Sequence, residues 1–292
     1  DIYQTVTNRI ITELENGAAP WIKPWKALRK SGSAMPHNAV TRRPYSGVNV
    51  LLLWITGAAF GSNGWLTYKQ AQEAGGQVRG GEKGTQIVFV KPMTYTKPDA
   101  KGDDVEHQSM MMKGYTVFNV DQCDGLPAKL TGGVPDVLPE PIPTDPTIDA
   151  WTQSTGATIR HGGDRAFYRP SEDIIVMPPR EAFEAQSSYS ATLFHELGHW
   201  TGHKSRLDRN LRNRFGDAEY AAEELIAELT AAFLCAEHGI DGELRHAGYI
   251  ENWLKILKSD KRAIFTAASA ASKSARFLNG ERAAIEPVQM AA

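Results

Sequence analysis

Residues 190–206 read SATLFHELGHWTGHKSR, and no other stretch restricts the fold as tightly. A helix turns once in about 3.6 residues, so side chains four apart stand one above the other on a single face. His195 and His199 are so spaced and can grip one metal ion. Glu196 sits one residue round from the first imidazole, where its carboxylate can reach a water on the metal and take its proton. The run from Tyr189 to Trp200 is apolar at Ala191, Leu193, Phe194 and Leu197, which sets the motif on a buried or half-buried helix rather than in a loop. Gly198 and Gly202 are expected to loosen and end that helix.

This spacing is the HExxH arrangement of zinc metallopeptidases. A catalytic zinc wants three protein ligands and an open fourth position, so one more donor is needed. A second acidic helix follows from Tyr220, with an apolar stripe at Leu225, Ile226, Leu229 and Phe233 and acids at Glu223, Glu224 and Glu228. Glu224 is assigned as the third ligand and Glu228, one turn on, as the carboxylate behind an imidazole. Adjacent carboxylates cannot be separated by spacing, so Glu223 remains the competitor, and all three acids could instead be the solvated face of an amphipathic helix. The longer HExxHxxGxxH pattern has its glycine at Gly202, but Ser205 stands where it wants a third histidine. His203 reads as a surface histidine at a helix end. Tyr189 and Tyr220 are the nearest phenols in sequence able to donate to a developing oxyanion, core packing being the alternative for both.

Composition narrows the setting. Two cysteines, Cys123 and Cys235, lie far apart and support no disulfide framework, which points to a reducing, cytoplasmic compartment. The longest apolar run, Val48 to Phe60, is too short to span a bilayer, and the first residues do not resemble a signal peptide; no membrane partner is expected. The net charge of −2 hides an asymmetry: residues 1–98 hold 12 Lys and Arg against 5 Asp and Glu, a net of +7, which leaves −9 for residues 99–292. Trp21, Trp25, Trp54 and Trp65 also fall in the basic part. Cations for phosphates interleaved with flat faces for unstacked bases suit single-stranded nucleic acid, with Trp21, Lys23, Trp25, Lys26, Arg42, Arg43, Tyr45, Trp65, Tyr68, Lys69 and Lys83 as the candidate contacts.

In chain order, Ile2 to Leu14 reads as an amphipathic helix ended by Asn16 and Gly17. Two prolines hold Trp21, Lys23, Trp25 and Lys26 in an extended segment, with core burial of the tryptophans as the even alternative. Arg42, Arg43 and Tyr45 form a basic turn before a helix from Val48 to Ala59. Trp65, Tyr68 and Lys69 open a short helix to Ala74. Residues 77–90 read as strand, turn, strand, with Lys83 in a glycine-rich turn that lacks a Walker A pattern. Residues 96–108 read as a hairpin loop and Lys113 to Val120 as the returning strand. The whole is α+β with an antiparallel sheet in a first domain, 1–125. Proline at 127, 135, 139, 141, 143 and 146 marks 126–146 as a linker. In the second domain, 147–292, a helix over 148–156, a strand over 158–161 and a hairpin of 166–168 with 174–177 precede the motif helix. Such a hairpin would leave an edge strand able to hold an extended substrate. Helices over 246–258 and 260–278 complete the domain.

Two blocks then resemble a known family. Thr41-Arg-Arg-Pro-Tyr-Ser-Gly-Val-Asn, Gly64-Trp-Leu-Thr-Tyr-Lys-Gln-Ala, Gly80-Gly-Glu-Lys-Gly-Thr and Tyr115-Thr-Val-Phe-Asn-Val-Asp-Gln look like the single-stranded-DNA-binding domain of ArdC-type antirestriction proteins. Phe194-His-Glu-Leu-Gly-His-Trp-Thr-Gly-His with Glu223-Glu-Leu-Ile-Ala-Glu-Leu looks like the zincin-like metallopeptidase domain joined to it. The resemblance implies a plasmid-borne factor that protects incoming DNA from host restriction during conjugation. It carries over His195, Glu196, His199 and Glu224 as a Zn2+ site, Mn2+ being the other metal to consider, and the DNA contacts only as a region. Single-stranded DNA is the implied partner, and a restriction enzyme or other DNA-bound protein the implied substrate of a zinc-dependent metallopeptidase. The rival from another class is a non-catalytic protein that coats single-stranded DNA or occludes the restriction enzyme, its metal being structural. A secreted or cell-wall peptidase is disfavoured by the basic aromatic first domain.

Overall fold

The computed structural model describes residues 1–16, 21, 35–98, 104–131, 146–209, 211, 218–240 and 250–281. Helix α1 (Ile2–Glu15) starts where the Asp1 carboxylate accepts from the Tyr3 backbone N–H at 2.9 Å, and buries Val6, Ile10 and Leu14, the periodic stripe. Strand β1 (His37–Asn38) leads to α2 (Val48–Gly57), which is buried on nearly every side. A helix apolar all round must be covered all round. One flank of α2 sends Leu53 to Trp65, Ile87 and Val117; the other sends Val50, Leu51, Leu52 and Trp54 into the main core. Its one polar interior residue, Asn49, hydrogen-bonds the backbone of Val88 both ways, at 2.7 and 2.8 Å.

Next come β2 (Gly64–Leu66), α3 (Tyr68–Glu73), β3 (Gln77–Val78), β4 (Thr85–Pro98), β5 (Asp104–Asn119) and β6 (Cys123–Asp124). The first sheet runs β1-β2-β5-β4 and is antiparallel apart from the two-residue β1–β2 pair. Residues 77–90 form strand, turn and strand as expected, the two strands lying in different sheets, since β3 pairs with β6 and β4 with β5. Two local expectations are corrected. The expected loop over 96–108 is mostly strand, because ladder pairing continues to Pro98 opposite Asp104 despite the polar sequence. Trp65 belongs to β2, and the short helix begins after Thr67, whose hydroxyl accepts from the Gln70 N–H in a capping box.

Helix α4 (Ala128–Thr131) is the described part of the proline-rich segment; residues 132–145, expected as linker, lie outside the described residues. The second half opens with α5 (Pro146–Thr155) and a three-stranded sheet of β7 (Thr158–His161), β8 (Phe167–Arg169) and β9 (Ile174–Met177), in the order β7-β9-β8. β8 pairs antiparallel with β9 and forms an edge, as the hairpin reading anticipates. Helices α6 (Gln186–Thr201), α7 (Ala218–Glu237), α8 (Ile250–Ser259) and α9 (Ala263–Leu278) follow. Gly198 does not loosen α6. A Cβ there would stand 2.9 Å from the Ala227 Cα, so the glycine lets α6 and α7 pack backbone to backbone.

The fold is α+β in two modules, yet their described parts share a continuous core. Val6, Ile10 and Leu14 of α1 and Trp54 of α2 belong to the same buried cluster as Phe194, Phe233, Trp253 and Ile264. Trp54 meets Phe233 at 5.7 Å and Tyr3 meets Phe265 edge-on at 4.7 Å. Polar bonds cross the same seam, from the Thr7 hydroxyl to the Lys261 carbonyl at 2.7 Å and from the Gly47 N–H to the Ser272 hydroxyl at 2.8 Å.

Candidate metal centre and nucleic-acid face

Helix α6 presents His195 and His199 on one face, and their Nε2 atoms lie 3.2 Å apart. Helix α7 brings Glu224 to both, with Oε2 3.5 Å from His195 Nε2 and Oε1 3.4 Å from His199 Nε2. Ligand atoms on one tetrahedral ion stand about 3.3–3.6 Å apart, and the two Nε2 atoms, each within 3.5 Å of one of the two Glu224 oxygens, are gathered closely enough to share an ion. The donor set fits a divalent cation of the borderline kind that takes imidazole and carboxylate.

The neighbouring acids take different places. Glu228 Oε2 is 3.2 Å from His195 Nδ1, and Glu223 Oε1 is 3.3 Å from His199 Nδ1, so each imidazole has a carboxylate behind it. Spacing alone left Glu223 and Glu224 open; the helix twist turns Glu224 toward the two Nε2 atoms and Glu223 toward the far nitrogen. Glu223 is held there by Arg209, whose guanidinium donates to both carboxylate oxygens at 2.9 and 2.8 Å and also reaches the Gly198 carbonyl, Thr201 and Ser274. Sequence reasoning missed Arg209, since nothing in the spacing of residues 206–209 marks it.

The charges follow from this packing. Burial opposes a charged His199, but the carboxylates of Glu223 and Glu224 outweigh it and the imidazole is pushed up to about 9. His195 is likewise raised by Glu224 and Glu228 against its burial. Glu224 is held well below the usual carboxylate range because both imidazoles outweigh its desolvation. Burial pushes Glu196 the other way, up, and the charges of His195 and His199, with a smaller help from the backbone of Tyr168 on β8, partly offset that. A carboxylate raised toward neutrality is what a general base needs.

Edge strand β8 is tied to the end of α6. The Arg206 guanidinium donates to Asp173 at 2.9 Å and to the Tyr168 hydroxyl at 3.2 Å, stacks over the Trp200 ring and donates to the Trp200 carbonyl. Of the two phenols expected near an oxyanion, Tyr220 stands half-buried one turn before Glu224 on α7. Tyr189 is buried, and its hydroxyl lies 2.8 Å from His161 Nε2, with Arg180 over its ring. His203 lies with Ser205, Nδ1 to Oγ 2.8 Å.

The expected nucleic-acid residues divide by exposure. Trp21 and Trp65 are core, at 0% and 1% exposed, so neither can stack on a base; Trp21 packs on Trp253. Lys23, Trp25 and Lys26 lie outside the described residues. Arg42, Arg43, Tyr68, Lys69 and Lys83 are exposed, and Tyr45 is half-buried with its phenol raised by desolvation. One further group of side chains was not singled out in the sequence. Phe89, Lys113 and Tyr115 share one face of the β4–β5 ribbon, with Tyr115 40% exposed, edge-on to Phe89 at 5.2 Å and under the Lys113 ammonium at 5.4 Å. Period-two alternation from Lys113 was the available signal.

Residues 1–118 match the family described as the N-terminal domain of anti-restriction factor ArdC, and residues 146–270 match the zincin-like metallopeptidase family. The chain is 42% identical to the uncharacterized protein y4eC of Sinorhizobium fredii, covering 97% of this chain and 92% of that protein. It is 41% identical to DNA primase TraC of Escherichia coli, of which it spans 27%. Among solved structures, the metal-free antirestriction ArdC protein from the R388 plasmid superposes with a TM-score of 0.80 at 44% identity, covering 97% of this chain and 98% of that one. The Mn(II)-bound form of the same protein gives 0.77 at 42% identity, covering 98% and 100%. With the likeness running through both modules at that level, the chain belongs to the ArdC antirestriction family.

Proposed function

We propose that this chain is an antirestriction protein that binds single-stranded DNA and carries a metal-dependent peptide-hydrolysing site. The observation that carries the hydrolytic half is the convergence of His195 Nε2, His199 Nε2 and the Glu224 carboxylate beside a buried carboxylate raised in pKa, Glu196. A bound divalent ion, Zn2+ or Mn2+, would polarise a peptide carbonyl and make water acidic enough to attack at neutral pH. Glu196 takes the proton from that water and hands it to the leaving amine. Glu228 and Glu223 fix which nitrogen of each imidazole faces the ion, and β8, an edge strand held by Arg206, is where an extended peptide can lie. Of the two phenols, Tyr220, one turn before Glu224 on α7, is the one we assign to the oxyanion, because the Tyr189 hydroxyl is taken by His161.

The Mn(II)-bound ArdC neighbour supports a divalent metal, and the TraC relatives support a setting in DNA processing. The DNA reading rests on the exposed cations and aromatics of the first module, now centred on Tyr68, Tyr115 and Lys113 rather than on buried Trp21 and Trp65. Duplex DNA would need no such rings. Protein substrates would then be those met on the DNA, a restriction enzyme among them.

Glu196→Gln tests the chemistry. Metal titration should give an unchanged affinity, while cleavage of protein presented on single-stranded DNA should fall by at least about 100-fold, the usual worth of a general base. Equal cleavage by both proteins would remove Glu196 from its role. A Glu196→Gln protein that still shields DNA in cells, with cleavage lost, would instead favour protection by coating.

A further inference from the structure

A cleft of about 610 Å3 is built from three separate elements: Tyr3 of α1, the strap of Arg206 to Arg209 that follows the metal helix, and Arg262 at the start of α9 with Phe265 and Lys273 on it. That volume suits a small molecule or one unit of a polymer, well beyond a lone phosphate. Its walls are of two kinds. Tyr3 and Phe265 form an edge-to-face pair at 4.7 Å with the Arg262 guanidinium 5.2 Å from the Tyr3 ring, which makes an aromatic and cationic wall. The strap supplies Arg206 and Arg209, whose guanidinium groups are already taken by Asp173 and Glu223.

The remaining charges decide the ligand. Arg262 and Lys273 are exposed; among the described residues no carboxylate forms an ion pair with either, and Asp208 is the one acid lining the cleft. Arg262, Thr266, Ser269 and Lys273 fall on a single face of α9, so two cations flank two hydroxyls along one line. Unanswered cations and hydroxyl donors beside flat rings match an anion joined to a planar ring, which is the chemistry of a nucleotide.

We propose that this cleft is a nucleotide-binding site for single-stranded DNA, a second contact beyond the first module's exposed face, and one that rests on the DNA reading given above. A strand takes precedence over a free nucleotide because the cleft straddles the seam between modules, with Tyr3 from the module whose surface carries the other exposed rings. The phosphate lies on Arg262 and Lys273 and the base on the Tyr3–Phe265 pair. Bound there, the strand passes along the strap whose Arg209 holds Glu223 beneath His199, and so comes to the back of the metal site.

The test is a titration of the full chain with oligo-dT at several salt concentrations, comparing the unaltered protein with Arg262→Gln/Lys273→Gln and with Tyr115→Ala. Losing two phosphate contacts should make the slope of log affinity against log salt shallower by about 1.4 and weaken binding about tenfold or more at low salt. Unchanged slope and affinity in the double variant would overturn the cleft while leaving the DNA reading intact; no binding by the unaltered protein would overturn both. If the double variant melts early, Lys273→Gln alone serves, with a slope change of about 0.7 expected and none overturning the proposal. Oligo-dT carrying iodouracil should crosslink under light to the peptides of Tyr3 or Phe265. Fluorescent thymidine monophosphate bound in the cleft and not displaced by the strand would overturn the strand as ligand.

Discussion

Arg209 is the residue on which the rear of the metal site depends. Its guanidinium is nearly enclosed and satisfies Glu223, the Gly198 carbonyl, Thr201 and Ser274 at once. Removing one partner of a buried charge pair costs about 3–5 kcal/mol, because the other is left without an answer. Arg209→Met should therefore lower stability by that order in chemical denaturation. It should also loosen metal binding about 10–100-fold in competition with a chelator, since Glu223 no longer orients His199. The same cluster sets a pH dependence. His199 binds its proton more tightly folded than unfolded, at about 9 against an ordinary 6.5. The metal-free protein thus has that contribution in full below 6.5 and loses it as pH rises through 9. Thermal melting of chelator-treated protein should show a falling midpoint across that window, while metal-loaded protein, its imidazoles already deprotonated, should not follow it.

Helices α6 and α7 form the site as a pair, and Gly198 sets how closely they approach. Helix α2 has the opposite character, with no face of its own. Because it is covered on one flank by the first sheet and on the other by the second module, its loss is felt in both. Trp54 is 2% exposed and packs on Phe233 of the same helix that carries Glu224. Trp54→Ala should cost about 3–5 kcal/mol. Calorimetry should show one transition before and after the change, shifted as a unit; two transitions, with only one moved, would mean that the modules fold separately.

Across the whole molecule, a basic module and an acidic module are joined through a common core, so the charge asymmetry describes two surfaces of one body. Periodicity in the sequence was enough for α1, for the motif helix and for the β8–β9 hairpin, because local sterics and amphipathic spacing act over a few residues. The imidazole pair and Glu196 were legible for the same reason: all three lie on one turn of one helix. What the sequence left open were contacts made across elements. Whether Glu223 or Glu224 faces the imidazoles depends on the rotation of α7 against α6, and Arg209 is recognisable only once three helices surround it. Whether Trp21 and Trp65 stack on bases or pack in the core stayed open in the sequence because burial is a property of the assembled fold, and a tryptophan beside lysines looks the same in sequence whether it faces water or the core. Residues close in the chain announced the chemistry themselves; the packing of α6 against α7 and of α2 between the modules chose which side chains could reach it.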